Sequence, residues 1–187
     1  FKFTNKLVPN KFASLDGDHP WLLIPFRDGK GEVVAYQGRA FGKEQPKYIT
    51  IKLDSDKSKI FGLDRVDKSK QIYAVEGPLD SLFLNNCIAV GGADLAKLKN
   101  DIIIIFDNEP RNKEICKQMS SCIGFDKKIV IWPDSMKHKD INDMIMIGYV
   151  KEQIQEIIND NIFSGATAKL RFVKWKKIDE GSMGKTI

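Results

Sequence analysis

Two short apolar runs that each end in acid constrain this chain most. Ile72 to Val75 leads into Glu76-Gly-Pro-Leu-Asp80, and Ile102-Ile-Ile-Ile-Phe106 leads into Asp107-Asn-Glu109. Apolar runs of this length, bounded by turn residues, read as buried strands. Buried strands that alternate with helical patterns belong to parallel sheets, whose carboxyl ends lie side by side. Glu76, Asp107 and Glu109 are therefore expected to meet at one sheet edge, where carboxylate oxygens suit a hard cation. Taken singly, each acid also reads as a helix cap or a solvated turn.

The elements around these runs follow the same alternation. Gly77-Pro78 turns the chain into a short helix whose face carries Leu79, Leu82 and Phe83, with Pro78 suited to a first helical position. Cys87-Ile-Ala-Val90 reads as the next strand, closed by Gly91-Gly92. A helix is predicted over about 112–121, followed by the strand Lys128-Ile-Val-Ile-Trp132 and Pro133. This pattern implies a mostly parallel α/β sheet flanked by helices. Beyond it, Ile154, Ile157 and Ile158 give one face of a helix over 150–159, and Ala168-Lys-Leu-Arg-Phe-Val-Lys-Trp-Lys-Lys177 reads as a basic strand.

Residues 20–62 have a different character. Trp21-Leu-Leu-Ile-Pro-Phe26 and Glu32-Val-Val-Ala-Tyr-Gln37 flank the turn residues Arg27-Asp-Gly-Lys-Gly31, which predicts a hairpin. Gly38-Arg39, Gln45-Pro-Lys47-Tyr48-Ile-Thr and the polar loop Leu53-Asp-Ser-Asp-Lys-Ser58 lead on to Ile60-Phe-Gly-Leu63. The expected division is a smaller, mixed, β-rich basic subdomain at 1–70, an α/β domain at 71–147, and a carboxyl-terminal helix and basic strand at 148–187.

Charge separates the same regions. Residues 1–75 hold 14 Lys and Arg against 9 Asp and Glu, 76–150 hold 9 against 11, and 151–187 hold 7 against 5. A basic flank beside an acidic centre suits a protein that grips a polyanion with one surface and holds metal with another. The three cysteines, Cys87, Cys116 and Cys122, form no CxxC pair, and His19 and His138 are far apart, so a zinc site is not expected. The cysteines read as buried thiols. No apolar run reaches the roughly 18 residues of a membrane span, so no membrane role is expected and the chain is read as cytoplasmic. A first residue of Phe rather than Met reads as an excised or processed piece.

The order of the acidic motifs resembles the Toprim domain, shared by DnaG-type primases, type IA and type II topoisomerases, and some nucleases. Glu76-Gly-x-x-Asp80 ends the first strand and Gly-Gly the second. Phe106-Asp107-Asn-Glu109 ends the third, and Lys139-Asp140-Ile-Asn142-Asp143 follows the fourth. The flank narrows the likeness. Ile24-Pro-Phe-Arg27-Asp28, Gly38-Arg39 and Pro46-Lys47-Tyr48 stand in the order found before Toprim in bacterial primases, so residues 20–147 resemble the primase RNA polymerase core. The tail, with Phe163-Ser-Gly165 and Phe172-Val-Lys-Trp-Lys, is similar to primases of T-even-like phages, which implies a host-cell cytoplasm.

The resemblance implies RNA primer synthesis on a single-stranded DNA template from ribonucleoside triphosphates. Glu76, Asp107 and Glu109 would act as catalytic ligands of Mg²⁺ or Mn²⁺. Asp80, Asp140 and Asp143 are further metal candidates that also read as caps or supports. Arg39 and Lys47 would contact template or nucleotide phosphates, or sit at a solvated strand edge. Tyr48 would stack on a base or pack in the core, and Arg111 would touch a triphosphate or mark a helix start. The pattern departs from the family where Glu109 replaces an aspartate and Pro110-Arg111 replaces a small Ala-Gly. The zinc-binding and helicase-binding modules of such primases have no counterpart here, so a replicative helicase partner would be reached through missing segments. A Toprim nuclease and a non-catalytic single-stranded DNA-binding module remain alternatives, whereas a topoisomerase needs a tyrosine-bearing domain for which there is no room.

Overall fold

Asp28 shapes the first hairpin. Its Oδ1 accepts the amides of Lys30 at 2.9 Å and Glu32 at 3.1 Å, and Gly31 turns the chain at φ +87°. A side-chain oxygen thus satisfies two turn amides, and only glycine takes that φ without strain. The turn joins β2 (Trp21–Arg27) to β3 (Val33–Ala40), confirming the predicted hairpin. The structure, a computed structural model, describes residues 2–4, 20–43, 46–91, 95–99 and 101–177. Gly92 of the expected Gly-Gly turn, Gln45 and His19 lie outside these residues.

β1 (Lys2–Thr4) and β4 (Tyr48–Lys52) complete an antiparallel sheet in the order β1-β2-β3-β4. The pairing of β1 with β2 ends at Leu23. Pro25 therefore sits where β2 runs on as an edge strand, a place that tolerates its missing N–H. Ile24 and Phe26 are fully buried, and Phe26 meets Phe61 edge-on with ring centroids 5.7 Å apart. Trp21, Ala40 and Ile49 form a further buried cluster with Ile51 against it.

The chain divides into two compact units, residues 1–65 and 66–187. The second holds a five-stranded sheet in the order β6-β5-β7-β8-β9, made of β5 (Tyr73–Val75), β6 (Cys87–Ala89), β7 (Ile103–Ile105), β8 (Ile129–Val130) and β9 (Ile162–Phe163). The first four are parallel and β9 is antiparallel to β8. Every residue of β6, β7 and β8 is buried, as expected of strands covered on both faces.

The helices start where capping chemistry permits. Pro78 occupies the first turn of α1 (Pro78–Ser81), and Asn112 accepts the amides of Glu114 and Ile115 to begin α2 (Lys113–Gly124). Asp140 accepts the amide of Asp143 at 2.8 Å to begin α3 (Ile141–Met146). Gln153 Oε1 accepts the amide of Val150 ahead of α4 (Lys151–Asp160). Cys87 and Cys122 are buried, and Cys116 is half-buried.

One expectation is overturned. The segment read as a basic strand, 168–177, is helical: α5 spans Gly165–Lys177. The alternation of Ala168, Leu170 and Phe172 misled, because the residues actually buried are Ala168, Phe172 and Trp175, spaced by four and three. That spacing marks one helical face, here packed on α2, and it leaves Leu170 outward at 75% exposure. No helix among the described residues is long and apolar enough to cross a membrane.

Candidate active site at the carboxyl edge of the parallel sheet

Strand order decides which acids meet. After β5 the chain adds β6 on one side, then crosses back to place β7 on the other. The carboxyl ends of β5 and β7 therefore flank a topological switch point, where the connecting loops part and leave a crevice. Glu76 stands directly after β5, and Asp107 stands two residues beyond β7. The sequence pattern placed acids at strand ends; the crossover makes these two strands neighbours.

Asp107 records the company it keeps. Burial comes first, followed by the negative charges of Asp80, Glu76 and Asp140, and together they push its carboxyl up to about 7 from an ordinary 3.8. Lys139 pulls the other way without cancelling them. Burial and like charge both penalise the ionised form. The structure thus brings three other sequence-predicted acids, Glu76, Asp80 and Asp140, within electrostatic reach of Asp107.

The remaining acids are engaged otherwise. Glu109 forms an ion pair with Lys139 at 3.5 Å and accepts from Asn112 Nδ2 at 3.2 Å. Asp143 is exposed in the first turn of α3, where its amide donates to Asp140. Asp80 bridges elements, its Oδ1 accepting the amide of Asn142 at 3.0 Å. Its other oxygen lies 2.5 Å from where a Cβ on Gly77 would stand. A side chain at 77 would displace the carboxylate from α3, which gives the glycine of Glu76-Gly77 a steric reason.

Asn108 holds the turn between Asp107 and Glu109. Its amide donates to Lys139 O at 2.6 Å, and its Nδ2 reaches Met136 O and His138 O at 3.0 and 3.1 Å. Its Oδ1 accepts the indole N–H of Trp175 at 2.8 Å, and Trp132 Nε1 donates to Phe106 O at 2.8 Å just before the acids. Sequence reasoning missed Asn108, Trp132, Lys139 and Trp175 as supports. An Asn between two acids carries no signal for a partner 67 residues away.

The donor set is all carboxylate oxygen, which suits a hard divalent cation. Among the described residues no three such side chains are drawn together as a ready cage.

In the first unit, Arg39 and Tyr48 pair across β3 and β4. The Arg39 guanidinium lies 5.7 Å and the Lys47 ammonium 5.8 Å from the centre of the Tyr48 ring. Tyr48 is 43% exposed, so it is no core residue, and the three predicted residues form one cationic, aromatic surface. Arg111 is exposed and lines a cleft beside α2.

No protein-family model matches the chain. The DNA primase of Enterobacteria phage T4 is 38% identical over 184 residues, which cover 95% of this chain and 53% of that protein. The chain thus spans about half the length of this relative. Among solved structures, a DNA primase domain from Pseudomonas aeruginosa shares the fold with a TM-score of 0.60 at 19% identity, over 84% of this chain and 57% of that one. A DnaG primase catalytic domain bound to single-stranded DNA does so with a TM-score of 0.56 at 18% identity, over 75% and 51%.

Proposed function

We propose that this chain, which is a homologue of DNA primases, is a catalytic core that copies single-stranded DNA into short RNA primers by metal-dependent nucleotidyl transfer. The observation that carries the reading is the group of Glu76, Asp80, Asp107 and Asp140 at the switch point, with the Asp107 carboxyl pushed up to about 7 by burial and by the charges of the other three. Similarity to the phage T4 primase over nearly the whole chain supports primer synthesis above a Toprim nuclease or a binding-only module.

Glu76 and Asp107 would hold Mg²⁺ or Mn²⁺, with Glu109 released from Lys139 to join them and with Asp80 and Asp140 behind. When bound, such an ion neutralises triphosphate charge and lowers the pKa of an attacking 3′ hydroxyl. Lys139, paired to Glu109 at 3.5 Å, would keep the edge from becoming wholly anionic in the ion's absence. Asn108 and Trp175 would hold the acidic turn rigid, so that little reorganisation accompanies the reaction. Arg39 and Lys47 would take template phosphates, with Tyr48 offering a ring to a base. Arg111 would meet a phosphate on the α2 side. A replicative helicase partner belongs to the same reading, as does a host-cytoplasmic setting.

Incorporation of labelled ribonucleotides on a single-stranded template, with and without Mg²⁺, tests the proposal. Short RNA products that appear only with template and metal are the expected result. Template degradation without synthesis would favour the nuclease, and template binding with neither would favour the binding module.

A further inference from the structure

A second charged surface lies away from the acids. α2 and α5 pack side by side, and a cleft of about 380 Å³ runs between them. Eight residues line it; four are cations, Arg111, Lys113, Lys117 and Lys176, and none is acidic. Lys113 and Lys117 come from α2, Arg111 from the turn just before it and Lys176 from α5, so positive charge stands on both walls. Lys113 to Lys117 spans roughly 6 Å along the helix at 1.5 Å per residue.

The floor is apolar. Phe172 is buried, and the ammonium of Lys176 lies over its ring at 5.5 Å. Lys176 also acts on the thiol of Cys116, opposing the rise that burial imposes, which places the lysine at the seam between the helices. Holding several like charges at one groove opposes folding unless an anion relieves their repulsion. The cleft opens at Arg111, two residues after Glu109, and continues down α2 as far as Ser120.

We propose that this cleft binds the sugar–phosphate backbone of single-stranded DNA, as a track leading away from the acidic edge. The inference rests on the primase reading and extends it to a second template contact in the unit that carries the acids. An open groove with exposed lysines on both sides and a covered aromatic floor suits phosphates, which need cations and no stacking ring. A nucleotide base would need an uncovered aromatic face or buried polar partners, and the lining offers neither.

The test is fluorescence anisotropy of a labelled single-stranded oligonucleotide across a salt series, using the protein, a K113A/K117A/K176A variant and a K128A control. All four lysines are exposed, and Lys128 sits before β8 at the opposite edge of the sheet, so both variants should keep the folded circular dichroism spectrum of the parent protein. The expected result is weaker binding by the triple variant, with a slope of log affinity against log salt reduced by about 2, since each single-strand phosphate contact contributes about 0.7. K128A should match the parent protein. An unchanged slope in the triple variant overturns the proposal, as does an equal change in K128A, which would signal diffuse charge alone. Loss confined to an RNA–DNA hybrid, with single-strand binding intact, also overturns it. Primer synthesis by the parent protein, measured alongside, separates this failure from failure of the primase reading.

Discussion

Trp175 donates its indole N–H to Asn108 Oδ1 at 2.8 Å, which ties the last described helix to the turn between Asp107 and Glu109. Trp175 is 2% exposed, so its ring is part of the core while its one polar atom serves the acidic edge. Trp175→Phe keeps most of the ring and removes the donor. Leaving Asn108 Oδ1 unpaired should cost about 1–3 kcal/mol, read as a lower Tm, with primer synthesis reduced further than the stability loss explains. Equal synthesis by the variant would show that the turn needs no such tie.

Asp107 gives the metal-free protein a pH signature. Its folded pKa of about 7 lies above the ordinary 3.8, so the fold favours the protonated carboxyl. The stability this contributes is fully present below the unfolded value and is lost as pH rises through about 7. Tm without metal should therefore fall between about pH 4 and pH 7 more steeply in the parent protein than in Asp107→Asn. That variant should fold normally and make no primers.

Mg²⁺ should compete with that proton. Thermal stabilisation by millimolar Mg²⁺ is expected at pH 8 and should shrink at pH 5.5, where Asp107 is protonated. Equal Tm values with and without Mg²⁺ at pH 8 would count against a cation at Glu76 and Asp107.

Gly77→Ala should act through Asp80. A Cβ 2.5 Å from Asp80 Oδ2 forces the carboxylate away from the amide of Asn142, at a cost of about 1–3 kcal/mol for overpacking. Denaturant unfolding would measure this, and a midpoint equal to the parent's would mean that the carboxylate moves freely.

Arg39→Ala and Lys47→Ala should each weaken single-stranded DNA binding by about 1 kcal/mol and flatten its salt dependence, since each removes roughly one phosphate contact. Asp107→Asn should leave binding equal or slightly tighter at low salt. Anisotropy at several salt concentrations separates grip from chemistry.

Much of this architecture is legible in the sequence because its signals are local. Buried strands announce themselves as unbroken apolar runs at 72–75 and 102–106, Pro78 and Asn112 mark helix starts, and the Arg27-Asp-Gly-Lys-Gly31 turn specifies a hairpin. Acids placed at strand ends follow from the same reading. Only the tertiary structure decided which acids share a crevice, because strand order depends on where a crossover returns and not on the residues that compose the strand. It also decided that 168–177 is a helix, since period two and period four coincide at Ala168 and Phe172 and the packing of Trp175 against its neighbours breaks the tie. The bond from Trp175 to Asn108 joins positions 67 residues apart, and no local pattern encodes a partner at that distance.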